Sequence, residues 1–302
     1  MFKGNKGNKG NKGIKVVAAS ITALLLTACA DTAGSSTENE INGTDDSQTE
    51  TEERGSIEFG VAAGPYGIMV EDIIGPLLEE EYGYDVSTRT FSDYVQPNLA
   101  LDNGDIDANL FQHTDYFETF SEDNDLDLDV ISTVPTLGMG VYANESSGYT
   151  SLEDIEEGAT ILTPNDPSNL ARALRVLADY DLIEYDDSVS ATQITVDDIT
   201  SNPNNLVIEP IESAQITRAL GTSAELATVP GNYSFAAEFD PNDALAMENM
   251  GDNFFNLIAV KDIDSQLGQD ILSIVESEAF YEAIEESETF NGFNRPSWWP
   301  ND

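Results

Sequence analysis

Positive charge, cysteine and histidine are all scarce in this sequence. Of 302 residues only 12 are Lys or Arg, against 57 Asp or Glu, and the formal charge is −45. Recognition of a nucleic-acid backbone needs clustered cations that displace counterions, so this composition excludes nucleic-acid binding. There is one Cys and one His, which excludes a disulfide framework, a Cys cluster and a His-rich zinc site. The sequence has no apolar run of the ~20 residues that a membrane-spanning helix needs. What is present is 40% hydrophobic residues, enough to bury a sizeable core and too many for a simple acidic disordered chain. The length suits one large domain or two ordinary ones.

The first residues have a composition of their own. Lys3, Lys6, Lys9, Lys12 and Lys15 precede an apolar run from Val16 to Leu26, followed by Thr27, Ala28 and Cys29. A basic stretch, a short apolar stretch and small residues before a cleavage point form a secretory leader. Cys29 resembles the lipobox cysteine of bacterial lipoproteins. That resemblance implies cleavage before Cys29, acylation of Cys29, and anchoring to the membrane through the lipid chains. Residues 1–28 are therefore expected to be a leader. Residues 29–55 are expected to be the lipidated Cys and a disordered acidic tether, because they hold almost no large apolar side chain. Removing the leader leaves Arg54, Arg89, Arg172, Arg175, Arg218, Lys261 and Arg295 against all 57 acids, a formal −50. Such a surface repels itself unless salt screens it, which suggests a salt-rich habitat, or less directly an alkaline one.

From residue 56 onward, strand-like and helix-like patterns alternate. Strands are expected at 56–62, 84–91, 105–111, 128–134, 137–143, 160–163, 205–210, 226–229 and 254–260. Helices are expected at 68–82, 95–101, 116–124, 169–180, 214–220, 265–276 and 278–286. Pro76 should kink the first helix, and Pro97 suits the start of the second. The alternation predicts an α/β fold of two lobes, each a mostly parallel sheet flanked by helices. Ligands of such sheets bind beyond the carboxyl ends of the strands, here in a cleft between the lobes.

Six stretches then occur in order: Phe91-Ser-Asp-Tyr-Val-Gln-Pro-Asn98, Asp107-Ala-Asn-Leu-Phe-Gln-His113, Pro164-Asn-Asp-Pro-Ser-Asn169 with Arg172, Glu212-Ser-Ala-Gln215 with Arg218, Gly231-Asn-Tyr233, and Phe255-Asn-Leu-Ile258. Together, over about residues 56–290, they resemble the methionine-binding lipoprotein family, the substrate-binding component of a methionine ABC importer. The resemblance implies a two-lobed periplasmic-binding-protein fold that closes on its ligand. Residues 56–140 plus 246–302 would form lobe 1 and residues 141–245 lobe 2, with a hinge near 140–145 and 238–250. It further implies a monomer on the extracytoplasmic face of the bacterial cell membrane, without a cofactor. Its partners would be methionine or a related amino acid, an ABC permease and its ATPase.

The chemistry of a free amino acid assigns roles to residues. A guanidinium binds a carboxylate bidentately, and Arg172 is the candidate. It stands off the expected buried stripe of Leu170, Ala173, Leu174 and Leu177, in the first turn of a helix capped by Ser168 or a neighbour. Arg175 is expected to be structural, paired on the helix surface with Asp179. Asn169 and Asn256 supply amides that can serve carboxylate or ammonium. Tyr94, Phe111, His113 and Tyr116 cluster at the ends of the second and third expected strands, where the resemblance implies the thioether pocket; aromatic rings suit sulfur and a neutral imidazole suits an apolar site, whereas without the motif His113 reads as structural. Tyr66 either closes over the cleft or is a plain loop aromatic. The family usually has Asn where this chain has Pro230, which has neither side-chain donor nor N–H. Asn232 is the candidate substitute for it, and L-methionine, D-methionine and a Met-containing dipeptide all stay open. Catalysis is not expected. No Gly-x-Ser-x-Gly elbow or phosphate-binding glycine loop occurs, and paired carboxylates mean little among so many acids. A surface adhesin on the same fold, or transport of another small amino acid, are the rival readings.

Overall fold

A computed structural model describes residues 54–300. The leader, Cys29 and the tether up to residue 53 lie outside the described residues. The elements in order are β1 (Gly55–Ala62), α1 (Pro65–Met69), α2 (Gly75–Tyr82), β2 (Tyr84–Phe91), α3 (Gln96–Asn103), β3 (Ala108–His113), α4 (Thr114–Asp123), β4 (Asp129–Thr133) and β5 (Gly140–Ala143). Then follow β6 (Thr160–Pro164), α5 (Pro167–Asp179), β7 (Glu184–Tyr185), β8 (Ile199–Ser201), β9 (Val207–Ile211), α6 (Ile216–Ala219), β10 (Leu226–Val229), α7 (Gly231–Ala236), β11 (Ala246–Met247), β12 (Asn256–Val260), α8 (Gln266–Val275) and α9 (Glu278–Glu286). Among the described residues no helix is long and apolar enough to cross a membrane.

Two five-stranded sheets organise the chain. The first has the order β2-β1-β3-β12-β4 and the second β11-β5-β10-β6-β9. In the first, β1, β2 and β3 are parallel and β12 runs against both β3 and β4. In the second, β10, β6 and β9 are parallel and β5 runs against β10 and β11. Each sheet is thus mostly parallel with one reversed strand, as the α/β alternation predicts. The chain passes from one sheet to the other through residues 134–139 and returns through 248–255. Ala246 and Met247, which the sequence reading placed with lobe 1, pair with Val141 and Gly140 in the second sheet. One core cluster lies around the first sheet (Phe59, Met69, Leu110, Ile258, Phe280) and one around the second (Met139, Ile161, Leu174, Leu226). A third draws on both, joining Tyr94 and Phe111 to Leu162 and Tyr233.

Local physics explains where the elements depart from the periodicity. Pro76 falls in the first turn of α2, within an unbroken helical run from Pro65 to Tyr82. Residues Val70–Ile74 form a π turn between α1 and α2, in which the Gly75 N–H reaches the Val70 carbonyl. The wider turn lies directly before the proline, which has no N–H to continue the helical ladder. Helix α5 starts at Pro167 and not Asn169, and its cap is Asp166, not Ser168. The Asp166 carboxylate accepts the Asn169 backbone N–H at 2.9 Å. β1 begins at Gly55, and Arg54 before it pairs with Asp270 and lies over the Tyr82 and Tyr84 rings, so the expected tether ends by residue 53. β3 starts later than expected and extends to His113. Its register with β12 shifts between Gln112 and Leu110, so Phe111 has no partner there. Such a bulge re-aims side chains beside a site. Here Gln112 reaches Asn109 at 3.1 Å and Asn98 at 2.7 Å, and Asn109 also donates to Asn98 at 2.9 Å. That closed network of buried amides accounts for the polar residues of two of the sequence motifs, because buried amides need partners.

Candidate functional site

The carboxyl ends of β1, β3, β6 and β10 and the amino end of the reversed strand β12 face one another, and a cavity of about 340 Å³ of empty space lies among them. Tyr94, Phe111, His113, Tyr116, Asn169, Arg172, Asn232 and Asn256 all line it, together with Tyr66, Gln112, Thr136, Leu137, Pro230 and Gly231. Cys29 lies outside the described residues.

One side of the cavity is aromatic. The Tyr94, Phe111 and Tyr116 rings are mutually 5.8–6.0 Å apart, and Tyr233 lies 5.2 Å from Tyr94 behind them. The hydroxyls are held: Tyr116 donates to the Tyr94 carbonyl at 2.8 Å, and Tyr94 donates to Asn232 Oδ1 at 2.6 Å. Burial pushes both phenols above their usual range, so they remain protonated donors. Tyr66 sits in α1, not in a loop. It is buried against the cavity, and burial pushes its phenol up to about 12.

His113 joins this wall to the polar side. It is the N-cap of α4, its Nδ1 accepting the Tyr116 backbone N–H at 3.2 Å. Its Nε2 therefore carries the proton and donates to Asn169 Oδ1 at 3.0 Å, while Asn169 Nδ2 donates to Asp166 at 3.0 Å. Burial and the nearby Arg172 push the imidazole down to about 3, so the ring is neutral. The folded state then binds no proton here at pH values where the unfolded chain, at about 6.5, does. The contribution of His113 to stability therefore falls as pH drops from about 7 towards 3. Unfolding titrations of the protein and of His113→Gln should diverge over that window, with the protein losing about 1.4 kcal/mol more per pH unit. Parallel pH profiles would refute the neutral buried histidine.

Arg172 is 4% exposed, in contrast to its expected place off the buried stripe, whereas Leu170 is only half-buried. Its guanidinium is paired with Glu248, which is also buried: Nε donates to Oε1 at 2.6 Å and Nη2 to Oε2. Burial would lower the Arg172 pKa, but the Glu248 carboxylate more than offsets that and the net shift is upward. The Arg172 and Arg175 guanidinium carbons each lie 4.9 Å from the centre of the Phe254 ring, a cation–π arrangement. The structure records no ion pair between Arg175 and Asp179; the Phe254 ring holds Arg175 instead. Phe254 ends a 3₁₀ turn just before β12 and also meets the His113 ring edge-on at 5.7 Å.

The amides divide by what they already bond. Asn169 is committed to His113 and Asp166. Asn232 accepts from Tyr94 and donates to the Ala63 carbonyl at 2.9 Å, so the group expected to replace the family's Asn ties α7 to the first sheet. Pro230 lines the cavity, and its carbonyl is taken by the Tyr233 and Ser234 N–H groups. Asn256 gives its backbone N–H to Thr136 Oγ1 at 2.8 Å, and its side-chain amide faces the cavity without a protein partner among the described residues. Sequence reasoning missed Glu248, Asp166 and Phe254. Phe254 looked like strand interior. Asp166 had a local signal in Asp-Pro before a helix, but Glu248 had none among 57 acids.

Residues 57–298 match the NlpA lipoprotein family. The chain is 33% identical over 248 residues to the D-methionine-binding lipoprotein MetQ of Salmonella typhi, covering 80% of this chain and 88% of that one. A nutrient binding protein from Burkholderia cenocepacia bound to methionine superposes with a TM-score of 0.72 at 34% identity, over 78% of this chain and 97% of that one. An ABC transporter periplasmic substrate-binding protein from Coxiella burnetii superposes with a TM-score of 0.72 at 32% identity, over 80% and 100%.

Proposed function

The chain belongs to the NlpA lipoprotein family, and we propose that it captures free methionine in the cavity between its two sheets and delivers it to an ABC importer. The observation that carries this reading is one small cavity with a tyrosine and phenylalanine wall on one side and Arg172 and the free Asn256 amide on the other. A methionine would place its thioether against the rings, at ~0.3–1.5 kcal/mol per sulfur–aromatic contact. Its carboxylate would meet Arg172 and its ammonium the oxygen of Asn256. Nothing in this arrangement needs chemistry on the ligand, so the role is binding and not catalysis. The sheets and their helices act as two lobes, and the crossing segments 134–139 and 248–255 act as the hinge. Cys29 carries the lipid, residues 30–53 tether the monomer on the outer face of the cell membrane, and the closed form docks on a permease and its ATPase.

Calorimetry with L-methionine, D-methionine and glycyl-methionine in molar salt tests the ligand, together with mass spectrometry of molecules released on denaturation. A methionine isomer should bind more tightly than the dipeptide, because the aromatic wall and the Arg172 and Asn256 groups line one small cavity that one residue with a single carboxylate and ammonium can bridge. Tighter binding of the dipeptide would change the cargo. Absence of both bound methionine and a methionine response would overturn the reading.

A further inference from the structure

The charge balance around Arg172 restricts which ligands the cavity can hold. Glu248 follows β11 and is buried with its partner. Its carboxylate accepts from Arg172 Nε and Nη2 and, at 3.0 Å, from the Met139 backbone N–H in the crossing segment. We propose that Glu248 is a specificity-determining residue: it cancels the charge of Arg172 and so limits the cavity to ligands of zero net charge that carry both a carboxylate and an ammonium. This rests on reading the cavity as an amino-acid site.

The argument begins with the guanidinium. It has five N–H donors, and Glu248 takes two of them on one edge. The other edge stays available to a carboxylate, which suits Arg172's place in the cavity wall. A lone buried arginine would draw in any anion of the right shape. Here the positive charge already has its counter-charge, so a carboxylate entering alone would leave an uncompensated buried negative charge, which is costly. Among the described residues no other cation lines the cavity: His113 is neutral and Arg175 is not in its wall. The Asp166 carboxylate beside the site accepts from Asn169 and sits at the N-terminus of α5, so it adds no positive charge. The compensating charge must therefore come with the ligand, as its own ammonium.

The ligand series is methionine, its anionic N-acetyl derivative and its cationic alcohol methioninol, titrated by calorimetry against the protein and Glu248→Gln. The amide keeps an oxygen for the Met139 N–H while removing the charge. The unsubstituted protein should prefer methionine over both analogues by at least about a hundredfold. In Glu248→Gln, methionine should weaken while N-acetylmethionine holds or strengthens, and their ratio should fall at least tenfold. If Glu248 only supports the packing, both ligands weaken by one factor; an unchanged ratio in a variant shown folded by its thermal transition overturns the proposal. If the variant does not fold, the unsubstituted protein decides: N-acetylmethionine binding within about threefold of methionine overturns the proposal. Methionine failing to bind the unsubstituted protein overturns instead the reading on which it rests.

Discussion

Arg172→Ala should abolish most methionine binding, with Kd rising by about 30- to 1,000-fold, and should also lower stability. The binding loss follows from removing a bidentate, charge-assisted partner in a buried site, at about 2–4 kcal/mol. The stability loss has a separate origin. Truncation leaves the Glu248 carboxylate buried with only the Met139 N–H, and breaking one side of a buried pair costs about 3–5 kcal/mol. In a protein of this size that corresponds to a fall of roughly 10 °C in the thermal midpoint. The two effects can be separated. Replacing both partners, as Arg172→Met with Glu248→Leu, removes the orphaned charge, so the midpoint should recover while binding stays lost. Arg172→Lys keeps the charge but not the planar fork, and should also bind poorly. Methionine affinity within twofold of the unsubstituted protein in Arg172→Ala would remove Arg172 from the site.

Gly231→Ala should impair binding although it removes no polar group. A Cβ at Gly231 would lie 2.1 Å from the Leu137 carbonyl oxygen and 2.8 Å from that of Gly138. Both are backbone atoms of the crossing segment 134–139 and neither can swing away as a side-chain tip can. Helix α7 must therefore move off this segment. Asn232 moves with it and loses the contacts with Tyr94 and Ala63 that join α7 to the first sheet. The expected result is a Kd raised at least tenfold and a thermal midpoint lowered by several degrees, consistent with the ~1–3 kcal/mol cost of overpacking. Gly251→Ala is the matched control, because nothing lies within 4 Å of its Cβ position. It should leave affinity and midpoint unchanged. Equal behaviour of the two variants would show that the approach of α7 to residues 137–138 does not hold the site together.

Much of this molecule was legible before its structure. Strands β2 and β10 and helix α9 match their expected bounds residue for residue: β2 alternates between Gly83 and Ser92, β10 is a short apolar run that ends at Pro230, and α9 carries a helical period between Ser277 and Ser287. Tyr94, Phe111, His113, Asn169, Arg172 and Asn256 were singled out one by one, and all line a single cavity. Residues at the carboxyl ends of parallel strands are brought together by the sheet itself. What stayed hidden depends on partners far along the chain. α7 is too short to show a period, and β7, β8 and β11 have only two or three residues each. The bulge at Phe111 exists only through β12, more than a hundred residues away, yet it lets Gln112 join Asn98 and Asn109.

The same division holds for the site. By itself the sequence determined its chemical inventory: one imidazole, few guanidiniums, a cluster of aromatic rings and several amides, on strand ends and on the segments and helices that follow them. The inventory follows from composition, and its assignment to a binding site from the resemblance of six short motifs to the methionine-binding lipoprotein family. Only the tertiary structure decided what each group is free to do. It showed Arg172 already paired, Asn169 and Asn232 already bonded, Arg175 lying on Phe254, and the side-chain amide of Asn256 open to the cavity. Burial is the physical reason. Where water is excluded, a polar group is held by whatever partner the fold brings to it, and the Asn256 side chain is the amide in this wall to which the fold brings none among the described residues. The choice of Glu248 from 57 acids is made by the packing of β11 and the crossing segment against α5, which no local pattern records.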